Sequence, residues 1–106
     1  MWYGQSLLPG SISDMSGADA GKREAALEMI NGTVIPTLRE YSGFKGYIAL
    51  WDKEKQDAKA ILLWDDEASA ESAEETLRDR RAQFAGGVGL SVVSADLYET
   101  LVFHME

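Results

Sequence analysis

The stretch Phe44–Asp66, FKGYIALWDKEKQDAKAILLWDD, decides the fold. Two apolar runs, Gly46–Trp51 and Ala58–Trp64, flank a charged and polar break at Asp52–Asp57. Short runs rich in Ile, Leu, Tyr and Trp read as strands, and the break between them reads as a turn. The stretch is therefore a predicted β-hairpin. Along its first strand Phe44, Gly46, Ile48 and Leu50 alternate with Tyr47, Ala49 and Trp51. Along its second, Ile61 and Leu63 alternate with Ala60, Leu62 and Trp64. Both faces are apolar in both strands. A hairpin with one wet face shows polar alternation instead, so this sheet is expected to be covered on both sides.

On the N-terminal side, Leu27, Ile30, Val34, Leu38 and Tyr41 recur at spacings of three and four. That is one face of a helix over roughly 19–41. Pro36 lacks a backbone donor and its ring crowds the carbonyl four residues back, at Gly32. The apolar stripe keeps its phase across this point, which predicts a kink near 32–36 rather than a break. Ser42-Gly43 stops the helix. Further upstream, Met1, Tyr3, Gln5 and Leu7 alternate with Trp2, Gly4, Ser6 and Leu8, so a first strand is expected over 1–8 and ended by Pro9-Gly10. Residues 10–20, mostly Ser, Gly, Asp and Ala, read as a loop.

On the C-terminal side, Asp65-Asp66 is an N-cap signal, with Glu67 in a first turn that favours acids. A second helix is expected over 66–85, with the stripe Ala70, Ala73, Leu77 and Phe84, and with Arg80 inside it. Gly86-Gly87 and Gly89 end it. A last strand is expected from Ser94 or Leu97 towards Met105. The order is βαββαβ, a ferredoxin-like α+β fold: a four-stranded antiparallel sheet with two helices on one face. Two helices cannot cover both faces of that sheet, so the expected cover of the helix-free face is a second copy of the chain.

The 106 residues suit a single domain, 1–106, and 45% apolar content argues against disorder. Ten basic residues against 18 acidic ones give a formal charge of −8. Such a surface repels phosphate backbones and anionic membranes, so neither nucleic acid nor membrane is an expected partner. No apolar run approaches a membrane span, and the first ten residues lack the pattern of a secretion signal. There is no cysteine, hence no disulfide framework, thiolate nucleophile or Cys-based zinc site. A cytoplasmic location is the simplest expectation.

The run Pro36-Thr37-Leu38-Arg39-Glu40, leading to Gly43-Phe44-Lys45-Gly46-Tyr47, carries a resemblance. So do the turn Asp52-Lys53-Glu54-Lys55 and the strand-end Trp64 with Glu67-Ala68 behind it. Together they resemble the antibiotic-biosynthesis-monooxygenase-like group, whose members are dimeric α+β barrels. The resemblance spans about 20–85. It implies a homodimer formed through the helix-free sheet faces, and a ligand pocket between helices and sheet. It also implies oxidation of a small aromatic ligand without metal or flavin, or a non-catalytic ligand-binding or stress-related module on the same fold. The haem-degrading members pair a strand-end Trp with an Asn on the first strand and a His on the second helix. Trp64 matches, but the first strand offers Gln5, and no His falls between Asp66 and Ala85, so haem is not expected and the expected cofactor is none.

The candidate pocket residues are Trp64, Arg80, Tyr3, Gln5 and His104. Trp64 lines the pocket or closes the strand–helix corner as core. Arg80 extends to water, pairs with an acid such as Glu99, or holds an oxyanion. Tyr3 and Gln5 hydrogen-bond a ligand or each other. His104 is the sole histidine. It cannot build a metal site alone, and it either serves as a base or has no role. The acidic runs lack the spacing of a calcium loop, so no metal site is expected. Gly86–Gly89 follows a helix, whereas phosphate loops precede one.

Overall fold

The computed structural model describes residues 8–106. Its strands are β1 (Gly10–Ser16), β2 (Phe44–Asp52), β3 (Asp57–Trp64) and β4 (Ser91–Tyr98). They form one sheet in the order β2-β3-β1-β4, with every neighbouring pair antiparallel. Helix α1 (20–38) is continuous helical backbone, and α2 is Glu67–Gly87. This is the expected ferredoxin-like α+β architecture.

The first strand differs from the sequence expectation. The strand expected over 1–8 falls on residues outside those described, apart from Leu8, which is not in a strand. The segment expected as a loop, GSISDMS, is the strand β1, and it lies inside the sheet. Its Ser and Gly residues have low strand propensity, but hydrogen bonding to β3 on one side and β4 on the other overrides that. Ser11 and Ser13 are fully buried on the face that meets the helices. Pro9 precedes the strand β1, and its carbonyl accepts from Trp64 N–H at 3.1 Å.

Helix α1 deforms where its proline predicted. A turn of 3-10 helix at Ala20–Lys22 leads into α-helix at Arg23–Met29, a π-helical turn at Ile30–Val34 and a final α turn at Ile35–Leu38. Ile35 N–H bonds to Ile30 carbonyl, five residues back. The wide turn moves the Gly32 carbonyl away from the Pro36 ring without ending the helix. Helix α2 starts as expected, with the Asp66 carboxylate accepting from Ser69 N–H at 2.8 Å.

The hairpin forms with a bulge between Phe44 and Gly46. The bulge turns Phe44 to the helix side, away from the Gly46, Ile48, Leu50 set whose face it shares in the sequence pattern. There it packs edge-on against Trp64, ring centroids 5.8 Å apart. The last strand spans Ser91–Tyr98, so it begins earlier and ends earlier than expected. Its ladder stops where Tyr98 pairs with Gly10, the first residue of β1. Residues 99–106 have no strand partner among the described residues.

The main core lies between helices and sheet: Val34 and Leu38 of α1, Ala70, Ala73 and Leu77 of α2, and Ala60, Leu62 and Trp64 of β3. Burial alternates strictly along β3. Lys59, Ile61 and Leu63 therefore point to the helix-free face. The register aligns Ile48, Ile61 and Ile12 in one row across that face, and Leu50, Lys59 and Asp14 in the next.

Candidate functional site

Two adjoining cavities, of about 70 and 60 Å3, lie between the helix layer and the sheet. They share Met15, Val34, Tyr47, Ala60 and Phe84 as lining. The first extends to Trp51 and to Ile30 in the π-helical turn; the second extends to Ser13 and Arg81. Small residues on the strands create the room. Ala49, Ala60 and Ser13 form one row across β2, β3 and β1, where larger side chains would reach the helices.

The wall is apolar except at a few points. Ser13 Oγ is fully buried and has no hydrogen-bond partner among the described residues; the same holds for Trp51 Nε1. A buried polar atom without a partner is costly, and a bound molecule or water is the usual remedy. Arg81 points inward from α2 and is 10% exposed at its side chain. Its Nη2 donates to Glu74 Oε2 at 2.7 Å, and Ser11 Oγ donates to the same oxygen at 3.2 Å. Glu74 thus holds the guanidinium from behind, while Arg81 itself lines the cavity. Burial pushes the Tyr47 hydroxyl above its ordinary pKa, offset in part by the Arg81 charge, so Tyr47 is a neutral donor at neutral pH.

Of the residues singled out in the sequence, those described lie outside the lining of the two cavities. Trp64 is fully buried in the core, edge-on to Tyr41 and Phe44, and lines neither cavity. Arg80 is exposed, with its guanidinium 5.8 Å from the Tyr41 ring centroid. His104 is exposed and hydrogen-bonded to Glu106 at 2.9 Å. Tyr3 and Gln5 lie outside the described residues. Trp64 and Arg80 thus share Tyr41 as a neighbour, whereas the bond given to His104 is to Glu106. Arg81, one residue beyond Arg80, lines the second cavity, and Lys59 contributes to the first. Residues 77, 80 and 84 and residues 74, 77, 81 and 84 both fit a helical stripe, so spacing alone does not choose between the two arginines. The pairing signal was Glu74, two turns before Arg81. Ser13 was missed with its strand. Among the described residues no group of three or more metal-binding side chains clusters, and no helix is long and apolar enough to cross a membrane.

The four-stranded antiparallel sheet with two helices is a ferredoxin-like α+β fold. Its sequence matches no protein-family model and no curated protein. Its structure is similar to a monooxygenase of Streptomyces coelicolor solved in complex with nanaomycin D. The TM-score is 0.68 at 11% identity, covering 97% of this chain and 96% of that one. It is also similar to a candidate antibiotic biosynthesis monooxygenase from Nitrosomonas europaea, with TM-score 0.61, 13% identity, and coverage of 93% and 95%. A dimeric ferredoxin-like protein from an uncultured marine organism matches with TM-score 0.55 at 10% identity, covering 94% and 91%. The resemblance read from residues 20–85 therefore holds at the level of the fold, over nearly the whole chain.

Proposed function

We propose that this chain is a homodimeric, monooxygenase-like protein that binds a small planar, largely apolar ring between its helices and its sheet. The observation that carries the reading is Ser13: a fully buried hydroxyl without a partner, on the wall of an otherwise apolar cavity. Support for the cavity also comes from the S. coelicolor relative in fold, which was solved with a ligand. As it stands the cavity pair suits a single ring. A larger ring system requires α1 to move outward, and the π-helical turn beside Ile30 and Val34 is where its backbone already departs from regular α-helix.

The reaction implied is oxidation of an electron-rich ring methylene by dioxygen, without metal or flavin. The methylene carbon gives up both hydrogens and four electrons. One oxygen atom becomes the carbonyl and the other leaves as water. One observation favours the second reading, a binding module without turnover. The lining of the two cavities includes no carboxylate and no imidazole to take the first proton.

The homodimer rests on the helix-free face. Ile48, 41% exposed there, lies in a row with Ile61 and Ile12, and Leu50, 49% exposed, lies in the next row beside Lys59 and Asp14. An exposed apolar row of this kind, bordered by charged residues, is what an interface covers.

A thermal-shift screen with anthrone, 2-naphthol and a quinol tests binding, and oxygen uptake with each binder separates turnover from binding. Stabilisation by at least one ring compound is expected. No shift with any of them, together with no chemical-shift change at Ser13, would overturn the reading.

A further inference from the structure

Resting on the reading of the cavity as a ligand site, we infer that Glu74 sets the charge preference of that site. By neutralising Arg81, it selects an uncharged ring carrying a hydroxyl or carbonyl oxygen over the carboxylate of the same ring. A lone guanidinium on an apolar wall is a carboxylate receptor, because its planar fork matches two oxygens. Here that fork is already engaged. Glu74 Oε2 takes Arg81 Nη2 at 2.7 Å, and Ser11 Oγ fixes the same carboxylate oxygen from β1. A ligand carboxylate entering beside them would place two negative charges around one guanidinium in a poorly hydrated space, which is unfavourable.

A neutral oxygen meets no such penalty. A guanidinium has five N–H donors, and a single bond to Glu74 leaves others for a carbonyl or phenol oxygen. Ser13 Oγ, two residues along β1 from Ser11 and on the same face, can both donate and accept, which suits a hydroxyl. The formal charge of −8 for the chain adds a long-range preference against anions.

The test is an NMR titration of the full chain with para-cresol, para-toluate and toluene at pH 7, one ring with three head groups. The wild type is expected to bind para-cresol about tenfold or more tightly than para-toluate, the scale of one charge-assisted bond. Glu74→Gln, which keeps the shape and frees the guanidinium, is expected to reverse that order. Ser13→Ala is expected to narrow the advantage of para-cresol over toluene several-fold, the Arg81 bond to the phenol oxygen remaining. Equal binding of para-cresol and para-toluate by the wild type overturns the inference. So does a Glu74→Gln protein that is folded and keeps the wild-type order. If Glu74→Gln does not fold, the wild-type order and Ser13→Ala still decide. Failure of all three rings to bind the wild type overturns the cavity reading instead, a separate outcome.

Discussion

Arg81 Nη2 lies 2.7 Å from Glu74 Oε2, seven residues back on the same helix, and the pair is wedged between α2 and the buried Ser11 of β1. Two turns of helix bring both side chains to the inner face, with Leu77 between them. The arrangement puts an ion pair at the edge of a core made largely of Ala, Leu and Val. Removing one member leaves the other charge in poor solvent. Glu74→Ala is therefore expected to cost about 1–3 kcal/mol of stability, the penalty for orphaning a buried donor. Urea unfolding followed by far-UV circular dichroism measures it; no change in midpoint would mean that water already serves Arg81.

Gly43 links α1 to the hairpin with φ of +87°. A Cβ there would meet Asp65 Oδ1 and lie 2.6 Å from Ser69 Oγ, both at the start of α2. The Gly43 carbonyl also accepts from Asp65 N–H at 2.8 Å. Gly43→Ala is expected to destabilise the fold by about 1–3 kcal/mol from the backbone conformation alone, with the crowding adding to it. Thermal unfolding of the variant checks this, and an unchanged midpoint would contradict the geometry.

On the helix-free face Lys59 Nζ lies 3.1 Å from Asp14 Oδ1 and 3.3 Å from Asp57 Oδ2. Hydrogen bonding to the Asp57 side chain, and then to Lys59, holds the Asp14 carboxyl below its ordinary value of 3.8. A depressed carboxyl stabilises the fold above its unfolded value, and that contribution is lost as pH falls through the folded one. The difference in melting temperature between wild type and Asp14→Asn is therefore expected to be constant from pH 7 to 5 and to shrink below about pH 4. A difference that grows in acid would contradict the assigned cluster.

Ile48 is at the edge of the row that continues through Ile61 and Ile12. It is already 41% exposed in the single chain, so a charge there should be tolerated by the protomer. In a dimer it would be buried and unpaired. Sedimentation velocity is expected to show a dimer for the wild type and a monomer, folded by circular dichroism, for Ile48→Lys. A wild-type monomer at micromolar concentration would remove the dimer from the account.

Much of the fold was legible because the hairpin and both helices carry their own periodicity. Asp66 as cap and Pro36 as a point of deformation are local chemistry, and they appear where spacing put them. The strand β1 was not legible. Its serines have no strand signature; they are there because α2 approaches closely, a fact of the tertiary structure. The alternation of Leu97, Leu101 and Phe103 outruns the ladder, which among the described residues ends where Tyr98 pairs with Gly10. The site was the least legible part. Trp64, the most conspicuous residue of the hairpin, is core. The polar points of the cavity are Ser13, on the strand that was missed, and Arg81, where a period of 3.6 does not separate neighbours.

The central claim is that a ring binds between helices and sheet. Intermolecular nuclear Overhauser effects from bound 2-naphthol test it most directly. The account predicts contacts to the Met15 methyl, the Tyr47 ring and the Ser13 Hβ protons. Contacts instead to Ile48, Ile61 and Tyr98, on the opposite face of the sheet, would contradict it.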